Sequence, residues 1–505
     1  MRSVAIVVVL ALLALSAHAE SIKWTGIADN NQWDTANNWY PNTVPGPADD
    51  VTIPKGSVII TTPVTVSSIG MGTQFSESGN LTVDSSLTVG TLTVEGNGYL
   101  IMASGASAVS GTVNVAGHLL FSSGKASGTW TMSSASTTEL SSAGEKTFSG
   151  CGFNVAGSIS ATGLIVLNQS SQFKVTSTIT TSGDFSIQAQ DTTQVLFDTS
   201  SGTLTYTGHG TFSVQAPLNL GTFNFQGGNL TLYDSVTFVN SFAIPSGSVV
   251  KSLGLADISM PGGVSGSGYL HAEGHSLSMS NANFSGTLNA QAGVVSFAAA
   301  STIATVLVDG ASVVVPHKLH VDSLSLVSGS LNGDSTVTAA STTITSSGFT
   351  LNASLVFSGD ASCTGSVISF QTPGKITVSS GATFTASSSV QFTGPAGTGG
   401  FVNHGILDAK GAVSFQNIDV SGTGSVTVKD TLHVNTITFT QSTVALDGSG
   451  VFKGSSTDIT NIGSVTGTPS VTATIGSYSF NCGTACKDVK TTGIPTSKFH
   501  FAVGH

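Results

Sequence analysis

His271, Glu273 and His275 alternate with Ala272 and Gly274, in a chain where only 8% of residues are charged. On an extended strand, positions i, i+2 and i+4 share one face, so two imidazoles and a carboxylate would point the same way. That face is the outward one if Leu270 and Ala272 point in. Such a donor set could hold a divalent metal. The competing reading is an ordinary exposed polar face, because no neighbour can be named that would orient the imidazoles. No metal and no other cofactor is expected on that reading. His317, His320 and Asp322 repeat the theme with broken spacing. Asp49 and Asp50 are adjacent carboxylates without a calcium-ligand loop around them. Ser is so abundant that a Ser/His/Asp triple can be drawn almost anywhere, so that pattern carries no specificity and no catalytic residue is assigned.

Trp24, Trp33 and Trp39 are the second group with chemical potential. Indole faces stack on pyranose rings, so the three define a candidate ligand platform. The plainer alternative is a cap, since the end of a repeat array exposes apolar cross-section and strand edges that three large rings would cover. Four cysteines, Cys151, Cys363, Cys482 and Cys486, allow three pairings. Cys482 and Cys486 sit close enough in sequence to close a small disulfide loop in an oxidising exterior. Cys-x3-Cys lacks the two further ligands of a zinc site. Sequons at Asn80, Asn168, Asn229, Asn283 and Asn352 are candidate glycosylation sites, in a number that the Asn, Ser and Thr content would produce by chance.

The elements that must position these residues are short strands. Leu81-Thr82-Val83, Leu87-Thr88-Val89 and Leu92-Thr93-Val94 each set apolar residues on one face and Thr on the other. Gly, Ser, Asn and Asp between them turn the backbone. Apolar pairs recur at Leu204/Tyr206, Phe212/Val214, Leu218/Leu220, Phe223/Phe225, Leu230/Leu232 and Val236/Phe238. The steps are too short for hairpins of ordinary strands. They suit coils of three short sides, a repeat of roughly 18–22 residues of the solenoid kind. A propeller would need roughly 40–50 residues per blade, and a row of sandwiches would show linkers that this even Gly/Ser/Thr texture lacks. The 26 Phe are expected in interior ladders. The reading is an all-β chain: a long right-handed parallel β-helix (β-solenoid) over 55–465, a Trp-rich N-terminal cap over 20–54, and a C-terminal cap or tail with the Cys pair over 466–505.

Residues 1–19 read as a signal peptide, with Arg2, an apolar run from Val4 to Leu15 and Ala17-His18-Ala19 before the cleavage point. No later apolar run is long enough to span a bilayer, and the C-terminus lacks a lipid-anchor signal, so a secreted protein with no membrane span is expected. Arg2 is the only arginine, leaving 14 Lys against 26 acidic residues after removal of the leader. Phosphate neutralisation needs clustered cations, so nucleic acid is not an expected partner.

The N-terminal segment carries a resemblance. Trp24-Thr25-Gly26, Gln32-Trp33-Asp34, Asn37-Asn38-Trp39, Val44-Pro45-Gly46 and Asp49-Asp50-Val51-Thr52-Ile53-Pro54 together resemble the opening of secreted microbial surface β-helix proteins. They are also similar to the start of the extracellular part of amnionless-type proteins. Gly266-Ser267-Gly268-Tyr269-Leu270 through Ala292-Gly293, and Gly400 to Leu407, resemble autotransporter passenger repeats. The chain departs from autotransporters in lacking a C-terminal barrel pattern, and from amnionless-type proteins in lacking their membrane span. The resemblance implies a parallel β-helix displayed at a surface or in a matrix. The functional expectation is a secreted, non-catalytic structural or adhesive protein, with extracellular polysaccharide or other surface proteins as partners. The rival is a carbohydrate-active enzyme, a polysaccharide lyase or glycoside hydrolase, on the same scaffold. Pectate-lyase-like members use an arginine base, which the mature chain does not contain, and inverting glycosidases need clustered Asp where this chain scatters them. Ice binding would want a regular Thr array, hinted at by Thr82, Thr88 and Thr93 but interrupted elsewhere.

Overall fold

The computed structural model describes residues 20–72, 78–140, 144–168, 171–189, 196–207, 210–346, 348–395 and 399–428, with short strand segments between 431 and 501. Residues 1–19, the pair Cys482 and Cys486, and most of the expected C-terminal cap lie outside the described residues.

Alternation along each strand sets the architecture. Phe349–Phe357 runs buried, half-buried, buried from end to end, with Phe349, Leu351, Ala353, Leu355 and Phe357 inward. A strand with one apolar face must close on other such faces, and stacking coils achieves this. The outcome is a parallel β-solenoid, all-β apart from a single 3-10 turn at Ala36–Asn38 among the described residues. The chain divides into two compact units, one ending at Asn240 and the other starting at Ser241.

In the first unit each coil has three sides. On the first side, Thr91–Val94, Thr112–Val115 and Thr129–Met132 stack in parallel register. On the second, Tyr99–Met102, His118–Phe121 and Thr137–Leu140 do the same. On the third, the leading halves of Ser86–Val94, Ala108–Val115 and Gly124–Met132 pair. Coil length varies, from 17 residues between Asn114 and Thr131 to 27 between Phe185 and Phe212. The second unit builds in the same way: Val264–Gly266, Ala282–Phe284, Ser301–Ile303 and Leu319–Val321 stack in order.

The corner from the third side to the first is tight. Gly111 sits there with φ 145°, and a Cβ at that position would drive into the carbonyl oxygen of Val89 in the coil before. Only glycine accepts both the backbone angle and the contact.

The interior holds the aromatic ladders. In the first unit Phe148 meets Phe121 at 5.5 Å and Phe173 at 5.3 Å, edge to face, and Phe153 stacks on Phe173 at 4.8 Å. In the second, Phe392 and Phe415 stack at 4.8 Å and 9°. Such contacts add to area burial, at about 0.5–1.5 kcal/mol per pair.

The Trp-rich segment contributes a rung of its own. Ser21–Trp24 runs parallel to Asp50–Ile53, so regular pairing starts before the Val51–Ile53 strand. Trp39–Tyr40 then lies antiparallel on Ser21–Trp24, the only antiparallel pairing among the described strands.

Candidate functional site

The outward residues of the first unit line up in columns that the register fixes. On its second side, Ser158 and Ser160 are followed one coil on by Thr178 and Thr180, then by Thr203 and Thr205, then by Thr222 and Asn224. Between each pair sits an inward residue, Ile159, Ile179, Leu204 or Phe223, buried in the core. Rungs are spaced by about 4.8 Å and the two columns by about 6.6 Å, the repeats of a parallel sheet. No charged residue stands in either column over these rungs; Glu139, beside Ser160 in the coil before, is the nearest one in register. The side chains of Ser158, Ser160, Thr178, Thr180, Thr203 and Thr205 make no hydrogen bond within the protein among the described residues, whereas Thr222 accepts one from Asn240. A shorter array of the same kind, Thr91/Thr93, Thr112/Asn114 and Thr129/Thr131, occupies the first side.

The second unit also carries an outward column, Ser276, Val294, Ser312, Ser330, Thr350, Ser369 and Thr393. Part of it is spent internally, since the Asn332 amide donates to Ser312 and Ser330, each at 2.8 Å. Another side of this unit holds an open cleft of about 450 Å³ lined in part by Asn281, Asn283, Ser301, Thr302, Lys318 and His320.

The histidine-rich stretch takes a different arrangement from the one expected. Its strand, Tyr269–Glu273, ends before His275, so the three side chains do not share one face. His271 Nδ1 stands 4.0 Å from Glu273 Oε1. Burial, then the charge of Lys251 beside it, push the His271 pKa below the ordinary value against the pull of Glu273. His275, past the turn, instead reaches Asp257 of the preceding coil at 2.9 Å. Ser276 donates to the same Asp257 oxygen, and these bonds hold that carboxyl below its ordinary range. A nucleophilic relay needs the hydroxyl on the imidazole. Here hydroxyl and imidazole both converge on the carboxylate. His320 stands 3.6 Å from Asp322 on one exposed strand face.

The tryptophans close on one another. Trp24, Trp33 and Trp39 are 3%, 2% and 0% exposed, so no indole face is open to a sugar ring. Trp39 lies edge-on to Trp24 at 4.8 Å and to Trp33 at 4.7 Å, and its Nε1 donates to the Trp33 carbonyl at 2.7 Å. Asp49 is used locally, accepting from the Gly46 and Glu20 amides, while Asp50 accepts from Ser68. Of the sequons, Asn229 and Asn283 are exposed, and Asn80, Asn168 and Asn352 are half-buried in their strands. Cys151 and Cys363 are buried free thiols, which burial pushes up to about 12 and about 11. Such thiols are inert at neutral pH.

No protein family, curated protein or solved structure matches this chain. Its class is defined by the fold: a long parallel β-solenoid with an N-terminal tryptophan cluster.

Proposed function

We propose that this is a secreted, non-catalytic structural or adhesive protein of a microbial surface or extracellular matrix, and that its outward hydroxyl faces bind polysaccharide. The observation that carries the reading is the array on the second side of the first unit, where successive rungs present paired hydroxyls that have no hydrogen-bond partner among the described residues. Polyhydroxylated chains exchange hydrogen bonds with such a surface without requiring charge. The solenoid supplies rigidity, because each interior rung is paired on both edges. The exposed Asn229 and Asn283 are the sequons best placed to carry glycans. The test is incubation of the purified protein with a panel of polysaccharides, following both depletion from solution and release of reducing or unsaturated sugar ends. Binding without release is expected. Release of ends would favour the carbohydrate-active enzyme instead, and no binding to any polysaccharide would refute the proposal.

A further inference from the structure

We infer that the second side of the first unit, from Ser158/Ser160 to Thr222/Asn224, is a docking face for an uncharged β-linked glycan in its insoluble, ordered form. This rests on the polysaccharide-binding reading and narrows it to one face and one class of ligand.

Three observations carry it. First, the columns contain hydroxyl and amide side chains only, in a chain of formal charge −11, so the face offers an anionic or cationic polymer no ionic partner. Second, six of these side chains have no hydrogen-bond partner among the described residues, so donors and acceptors are available in register over three successive rungs. Third, the array is rigid and periodic. Behind it, Ile159, Ile179, Leu204 and Phe223 are packed in the core, so the rungs have little freedom to move.

Rigidity decides the physical form of the partner. A flexible soluble chain loses conformational freedom on docking, and this face has no aromatic ring in its two columns to offset that loss. A glycan already ordered in a solid has lost that freedom beforehand. Many weak hydrogen bonds in register then add over the length of the face. Two rungs span about 9.6 Å, commensurate in scale with the disaccharide repeat of an extended β-1,4-linked chain running along the stack.

The experiment measures adsorption of the full chain to microcrystalline cellulose, chitin, soluble neutral oligosaccharides and soluble polygalacturonate. The expected result is adsorption to at least one insoluble neutral glycan, with little competition from either soluble form. Thr180→Lys/Thr203→Lys places charge and bulk on both columns and is expected to weaken adsorption about tenfold or more, through several lost hydrogen bonds. Thr180→Ala/Thr205→Ala removes hydroxyls without adding charge, covers the case in which the lysine variant fails to fold, and is expected to weaken adsorption in the same direction. Thr65→Lys/Ser110→Lys, on the third side of the same unit, is expected to bind like the wild type. Adsorption unchanged in the second-side variants, equal loss in the third-side control, or preference for polygalacturonate would overturn this inference while leaving polysaccharide binding standing. Failure of the wild type to bind any polysaccharide would remove both.

Discussion

Trp39→Ala tests whether the tryptophan cluster holds the start of the described fold together. The indole is fully buried and touches Trp24 and Trp33 edge-on at 4.8 and 4.7 Å. Truncating a buried Trp to Ala costs about 3–5 kcal/mol, cavity included. The Trp33 carbonyl also loses its donor at 2.7 Å, adding about 1 kcal/mol for an acceptor left without its bond. The expected loss is thus about 4–6 kcal/mol, a large fraction of the ~5–15 kcal/mol typical of a domain. Trp39→Phe keeps one ring in the cluster and should lose about half as much. Loosening the Trp39–Tyr40 strand also uncovers the edge of Ser21–Trp24, which is then free to pair with another chain. Denaturant unfolding followed by tryptophan fluorescence gives the first quantity, and light scattering gives the second. A loss below about 1 kcal/mol, against the ~3–5 expected from buried-Trp truncation, with monodisperse scattering, would refute the packing argument and return the indoles to the status of a ligand platform.

Other perturbations follow from single positions. Gly111→Ala, which combines a left-handed backbone angle with collision against the Val89 carbonyl, should destabilise by about 3 kcal/mol or more. Gly152→Ala, in a strand with nothing near the added methyl, should be neutral or slightly stabilising in the same unfolding assay. Burial pushes the Lys146 ammonium down to about 8 from 10.5. The folded protein therefore binds fewer protons than the unfolded chain between those values, and stability should rise with pH across that window. Unfolding midpoints measured at both ends of the window should show the rise in the wild type and its loss in Lys146→Met. Asp257 is depressed below its ordinary 3.8 by hydrogen bonds from Ser276 and His275. Its contribution is present above that value and is lost as pH falls through the folded pKa. Melting temperatures of wild type and Asp257→Asn should accordingly differ at pH near neutral and converge in acid.

Much of the fold was legible residue by residue. Leu-Thr-Val triplets specify which side chains point in and which point out, because alternation along a strand is a local property of the backbone. Buried Leu81, Val83, Leu87, Val89, Leu92 and Val94 follow directly, as do the Phe ladders. The tryptophans also announced themselves as a cluster. Their orientation did not, since whether an indole faces inward depends on the Ser21–Trp24, Trp39–Tyr40 and Asp50–Ile53 strands converging, and these are distant in sequence.

The candidate face belongs to the tertiary structure. Thr178-x-Thr180 and Thr203-x-Thr205 look alike in the sequence, yet so do many other Thr pairs, and coils of 17 to 27 residues set no fixed stride by which to stack them. Loop length, corner glycines and the register of parallel strands decide which pairs become neighbours. The same reason undid the shared face of His271, Glu273 and His275: a period-two pattern holds only while the strand continues, and this one turns after Glu273. What the sequence determined by itself was the inside and outside of each rung, a matter of local geometry and hydrophobicity. What only the tertiary structure decided was which outward residues stand above one another, because that depends on how each coil closes.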